Sequence, residues 1–128
     1  MAEFLLDSDV IIAWLRGQDP VAEVVPALLE GKDVLLWTPV SVAEIFAGAR
    51  KGEKKQLEGL FLVLETLPLS AEIGKKAGDY MRTYFRSHHV ELGDALIAAT
   101  AHVNQVPLWT LNKKHYPMRD VRFFMPPR

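Results

Sequence analysis

The chain has 128 residues, 49% hydrophobic and 24% charged, with a formal net charge of −1 and no cysteine. That length and composition predict one globular domain, 1–128, able to bury about two thirds of its unfolded surface. The lack of cysteine excludes disulfides, thiolate metal sites and a cysteine nucleophile. A charge near zero decides nothing about nucleic acid, because local patches matter more than totals. No basic stretch precedes an apolar one at the N-terminus, and the longest unbroken apolar run, Val10 to Leu15, is too short to span a bilayer. The expectation is a cytoplasmic domain without a membrane partner.

Glu3 to Asp7 reads as a short buried strand that stops at Asp7-Ser8-Asp9. A helix follows with Val10, Ile11, Trp14 and Leu15 inward, ended by Gly17. Val21, Val24, Val25, Leu28 and Leu29 then recur at helical spacing, with Pro26 expected to kink or restart the helix. Val34 to Trp37 is continuously apolar, as buried parallel strands are. Thr38-Pro39 opens a helix whose buried stripe is Val42, Ile45, Phe46 and Ala49. Another carries Leu57, Leu60, Phe61 and Leu64, ahead of a short segment around Leu67 to Leu69. Ser70 fits the cap of a long helix with Ile73, Ala77, Tyr80, Met81 and Tyr84 inward, ending at His88-His89. Leu92 to Gln105 forms an Ala-rich buried helix, in which His102 reads as a satisfied core residue. Val106 to Leu111 is a third strand, and Val121 to Met125 a fourth at an edge. Alternating strands and helices give an α/β domain with a mainly parallel central sheet of four to five strands and helices on both faces. In such sheets ligands bind beyond the carboxyl ends of the strands, where Asp7 and Thr110-Leu111-Asn112 fall.

Three carboxylates occupy awkward positions. Asp7 ends an apolar strand, Glu44 lies inside Val42-Ala43-Glu44-Ile45-Phe46, and Asp94 opens Ala95-Leu96-Ile97-Ala98-Ala99. An ionised carboxylate beside a core is costly unless something positive or hydrogen-bonding meets it, and one divalent cation would meet all three. Each also has a plainer reading. Ser8 or Asp9 can cap a helix, which leaves Asp7 unexplained. Ser41-Val42-Ala43-Glu44 fits a capping box, although Pro39 favours a helix start at Thr38 that leaves Glu44 no capping role. Asp94 can be an N-cap, yet it shares a face with Ile97, Ala98 and Ala101. Thr110 to His115 can be a polar turn with Asn112 in a left-handed conformation. Basic residues gather at Arg50-Lys51-Lys54-Lys55, along Lys75-Arg82-Arg86 and over Lys113 to Arg128, as solvated faces or phosphate contacts.

Four stretches together resemble the PIN-domain ribonucleases, in particular the VapC-type toxins of prokaryotic toxin–antitoxin pairs. They are Phe4 to Ile12, Pro39 to Gly48, Gly93 to Ala101 and Leu108 to Tyr116, in matching order and spacing over the whole chain. The resemblance implies a single PIN-like domain and an Mg²⁺- or Mn²⁺-dependent endoribonuclease that activates water against RNA phosphodiesters. Asp7 and Asp94 match its principal ligands and Glu44 a second ligand or water-positioning base, with Ser8 and Thr110 holding carboxylates in place. Many members carry a fourth acid where this chain has Asn112. An amide can ligate without adding charge, which leaves one or two metals open.

The resemblance also implies a homodimer and a small VapB-like antitoxin. An arginine of the antitoxin's tail would compete with the metal for the acidic pocket, and Trp14, Val21 and Val25 are candidates for the apolar part of that contact. Three alternatives stay open at this point. One is a haloacid-dehalogenase-like phosphatase with Asp7 as nucleophile and Asp9 as acid. Another is a receiver-type signalling domain, and the third a PIN-like module that binds RNA without cutting it.

Overall fold

The computed structural model describes residues 2–126. Pro127 and Arg128, the end of the C-terminal basic stretch, lie outside the described residues. The sheet has four parallel strands in the order β3-β2-β1-β4: β1 (Glu3–Leu6), β2 (Val34–Trp37), β3 (Glu65–Thr66) and β4 (Leu108–Trp109). Its helices are α1 (Ser8–Leu15), α2 (Val21–Glu30), α3 (Pro39–Ala47), α4 (Lys54–Val63), α5 (Ala71–His88) and α6 (Leu92–Asn104).

Strand alternation divides the core in two. Leu5, Leu36 and Leu108 point to one face, where Ile73, Ala77, Ile97, Ala98 and Ala101 of α5 and α6 cover them. Phe4, Leu6, Leu35, Trp37 and Trp109 point to the other, against Val10, Ile11, Val21, Val25, Ile45, Leu57 and Leu60 of α1 to α4. Both faces of the central strands are therefore dry, which is why β1 and β2 read as continuous apolar runs. The parallel α/β sandwich read from the sequence is the one observed.

Several details differ from the sequence reading. The strand expected over Val106 to Leu111 shrinks to Leu108–Trp109, and Val121 to Met125 contributes one bridge, Leu108 to Phe123. The remaining edge is β3, whose two residues are both exposed and so carry no apolar signal. α2 runs through Pro26, whose ring sits on the exposed side. Val21 and Val25 are buried, at 2% and 0% exposure, because α2 turns that stripe onto the core. They cannot form a docking surface.

His102 is not a core residue. Its side chain is 31% exposed, and Nδ1 meets the backbone carbonyl of Asp120 at 3.0 Å. Asp120 also accepts hydrogen bonds from the Tyr80 hydroxyl and Lys76 Nζ, both at 2.7 Å, tying the C-terminal segment to α5.

Candidate active site

The carboxyl ends of β1 and β4 and the starts of three helices meet at one place. Asp7 follows β1 directly and caps α1 itself: its backbone is extended and its Oδ1 accepts from the Ser8 N–H at 2.8 Å. The cap expected at Ser8 or Asp9 thus belongs to Asp7, where a carboxylate also faces the positive end of the α1 dipole. Thr38 caps α3, its hydroxyl accepting from the N–H groups of Val40 and Ser41. That register places Glu44 more than a turn inside the helix. α6 begins at Leu92, so Asp94 lies in its first turn and is not its cap.

Asp7, Ser8, Asp9, Glu44, Asp94, Asn112, His115 and Ile12 line one cavity of about 330 Å³. The acids are held by neighbouring hydroxyls. Ser8 Oγ donates to Glu44 Oε1 at 2.6 Å and lies 3.0 Å from Ser41 Oγ. Asp7 Oδ2 accepts from Thr110 Oγ1 at 2.9 Å and from Tyr116 Oη at 2.8 Å. Each of those hydroxyls has one proton and a second carboxylate nearby: Asp9 Oδ2 lies 3.4 Å from Thr110 Oγ1, and Asp94 Oδ1 lies 3.4 Å from Tyr116 Oη. Asp7 takes both short bonds, so the longer contacts fall to Asp9 and Asp94.

The electrostatics follow from that sharing. Burial and the Asp7 charge push the Asp9 carboxyl up to about 6, against the opposing pull of the Leu111 N–H. Burial and the Asp7 charge also raise Asp94, with Glu44 adding and His115 subtracting. Tyr116 is raised by burial and by the Asp7 and Asp94 charges, so it stays a neutral donor. His115 stands between the two sides of the cavity, with Nδ1 3.5 Å from Asp94 Oδ2 and Nε2 3.1 Å from Asn112 Nδ2.

The residues singled out in the sequence, Asp7, Ser8, Glu44, Asp94, Thr110 and Asn112, all gather here. Three others join them without a role in this site that the sequence makes visible. Tyr116 carries no local signal beyond the general need of a buried tyrosine for a hydroxyl partner, which here is Asp7. His115, part of a basic stretch in the sequence, and Asp9, which reads there as a cap or a phosphatase acid, both line the cavity. α6 also passes close to Glu44 at Gly93, where a Cβ would stand 3.5 Å from Glu44 Oε2.

The carboxylate and amide oxygens around the cavity are donors for a hard cation. Among the described residues no three His, Asp or Glu side chains are close enough to hold an ion as a closed cage. Asp7 and Asp94 nevertheless direct oxygens at the same Tyr116 hydroxyl. The arrangement fits an ion of the Mg²⁺ type, which is held by one or two carboxylates and keeps waters or substrate phosphate in its other positions.

The PIN domain family model matches residues 4–121. Ribonuclease VapC10 of Mycobacterium tuberculosis is 43% identical over 116 residues, covering 89% of this chain and 86% of that protein. This chain is a PIN-domain protein of the VapC family. Its PIN fold superposes on DNA-bound VapBC from Salmonella typhimurium with a TM-score of 0.80, at 19% identity, over 97% of this chain and 98% of that one. It also superposes on a toxin–antitoxin complex from Klebsiella pneumoniae with a TM-score of 0.70, at 19% identity, over 94% and 95% of the two chains. Membership of the PIN family sets aside the phosphatase and the receiver domain.

Proposed function

We propose that this PIN domain is a metal-dependent endoribonuclease and the toxin of a VapBC-type pair. The observation that carries this reading is the gathering of Asp7, Glu44 and Asp94, from three separate elements, around one cavity at the carboxyl end of the sheet. The relative's name, ribonuclease VapC10, supports the substrate class. Asp7 and Asp94 would hold an Mg²⁺ or Mn²⁺ ion. When bound, such an ion stabilises negative charge on a phosphodiester and makes a bound water more acidic.

The chain's own residues do the positioning. Thr110 and Tyr116 fix the plane of the Asp7 carboxylate. Ser8 fixes Glu44, leaving its other oxygen to orient a water or accept its proton. Asn112 offers a neutral contact to the substrate or ion. Lys113 and Lys114, exposed on the 3₁₀ turn Lys113–His115 between the cavity residues Asn112 and His115, would meet the phosphates of an RNA bound there.

An antitoxin partner is part of the same reading. With Val21 and Val25 buried, Trp14 still borders an apolar groove between α1 and α4, about 280 Å³, together with Leu15, Leu60 and Val63. An arginine reaching from this groove to the acids would displace the ion. Among the described residues no helix is long and apolar enough to cross a membrane.

The deciding experiment is cleavage of single-stranded RNA in Mg²⁺, Mn²⁺ and EDTA. Cleavage with either metal and none in EDTA is expected, and cleavage undiminished in EDTA would overturn the mechanism. A module that binds RNA without cutting it would show binding and no products. Tyr116→Phe should lower cleavage about ten- to a hundredfold, the cost of losing a group that orients a metal-binding carboxylate. Raising the Mg²⁺ concentration should restore part of the loss. A Tyr116→Phe rate equal to wild type would remove the hydroxyl from the site.

A further inference from the structure

A second cavity, of about 260 Å³, opens beside the acidic one and shares two of its walls. It is lined by His88, His89, Val90, Glu91, Asp94 and His115, and Asp94 and His115 also line the first cavity. A strand whose phosphodiester sits at the acids would therefore place a neighbouring nucleotide here. The cavity is slightly smaller than the roughly 300 Å³ at which pockets for drug-sized ligands begin. Its size suits one base better than a larger group.

Two residues in its wall are poor local choices. His89 ends α5 in the left-handed conformation, at φ 48°. Glycine or asparagine is the economical residue there, because a Cβ is strained at positive φ. Glu91 occupies the N-cap position of α6 and makes no side-chain capping bond, where Ser, Thr, Asp or Asn would supply one. Local rules broken side by side around one cavity point to a use other than folding. The surroundings suggest what that use is. The His89 ring packs edge-on against Phe85 with centroids 5.6 Å apart, and Phe85 is 64% exposed. An exposed imidazole ring offers a stacking face, and a free carboxylate accepts from the exocyclic amino group of a base where the O4 of uracil would repel it.

We propose that this cavity is a nucleobase subsite for the residue flanking the cleaved phosphodiester. His89 supplies the stacking face, and Glu91 selects bases that present an exocyclic amino group at that edge (cytosine or adenine) over uracil, which presents the acceptor O4 there. The subsite rests on the ribonuclease reading above.

The test is cleavage of a random-sequence single-stranded RNA pool in Mg²⁺, with cut sites sequenced and kinetics followed on one preferred oligonucleotide. Wild type should disfavour uracil at one position beside the cut, and Glu91→Gln should weaken that bias. His89→Asn keeps a residue suited to the left-handed conformation and removes the ring. It should raise KM about tenfold, the scale of losing one base stack, with kcat within about twofold and Tm unchanged or higher. An unbiased wild-type profile, or unchanged KM and profile in both variants, would overturn the subsite and leave the nuclease intact. A lower Tm for His89→Asn would assign the ring to folding and also overturn it. A wild type that cuts no RNA would remove both readings.

Discussion

Asp94→Asn should leave the fold standing and remove nearly all RNA cleavage. The substitution is close to isosteric, on a side chain 26% exposed in the first turn of α6. It takes one negative charge from the place where an ion would be held. An ion of this kind contributes several kcal/mol to the stabilisation of transition-state charge. Each tenfold in rate corresponds to about 1.4 kcal/mol, so a loss of at least about a hundredfold is expected. Asp7→Asn should lose as much but is a harsher test. Asp7 accepts from the Ser8 N–H, Thr110 and Tyr116, and an amide group would turn a donor toward one of them. Asn112→Ala removes only a neutral contact and should cost less than either. Single-turnover cleavage by purified variants, with thermal melts to confirm folding, measures all three. Wild-type speed in a folded Asp94→Asn protein would mean that the acids do not hold the ion that matters.

What the sequence made legible depended on how local the signal was. β1 and β2 are visible because burial on both faces makes them continuous apolar runs. β3 is not, because its two residues are exposed and only pairing with Leu36 and Trp37 defines it. Pro39 gave the correct start of α3, and with it a Glu44 that had no capping duty. Tyr116 could not be linked to Asp7, since 109 positions separate them and only the folded sheet edge joins them. The mistake at Val21 and Val25 has a different origin. Helical periodicity says which residues share a face, but a core-facing stripe and a partner-facing stripe have the same pattern. Only the packing of α2 tells them apart.

The metal-free protein should become more stable as pH falls from about 7.5 toward 5.5. Asp9 and Asp94 have carboxyls raised above their ordinary values, Asp9 to about 6. The folded state binds the proton of a raised acid more tightly than the unfolded chain does. Its stabilising contribution is complete below the ordinary carboxyl range and is lost as pH rises through the folded value. Titrating Asp9 and Asp94 back to their neutral forms relieves their repulsion with Asp7. Lower still the trend should reverse. The Asp120 carboxyl, although burial works against it, is held below its ordinary value by Lys76, Tyr80 and His102, and that contribution disappears as Asp120 protonates.

Asp9→Asn isolates the effect, since its amide oxygen can still accept from the Leu111 N–H while the charge beside Asp7 is gone. Because Asp9 is partly solvated, the gain at pH 7.5 should be modest, on the order of 1 kcal/mol after solvent screening. That corresponds to about 3 °C in Tm for a chain of this size. Mg²⁺ should stabilise the wild type at pH 7.5 and progressively less toward pH 5, because the ion needs deprotonated carboxylates. Melts of wild type and Asp9→Asn in EDTA and in Mg²⁺, across pH 4 to 8, follow all of these terms together. A wild-type Tm in EDTA that falls steadily between pH 7.5 and 5.5, or an Asp9→Asn protein with the same slope, would mean that the acids are not in electrostatic conflict.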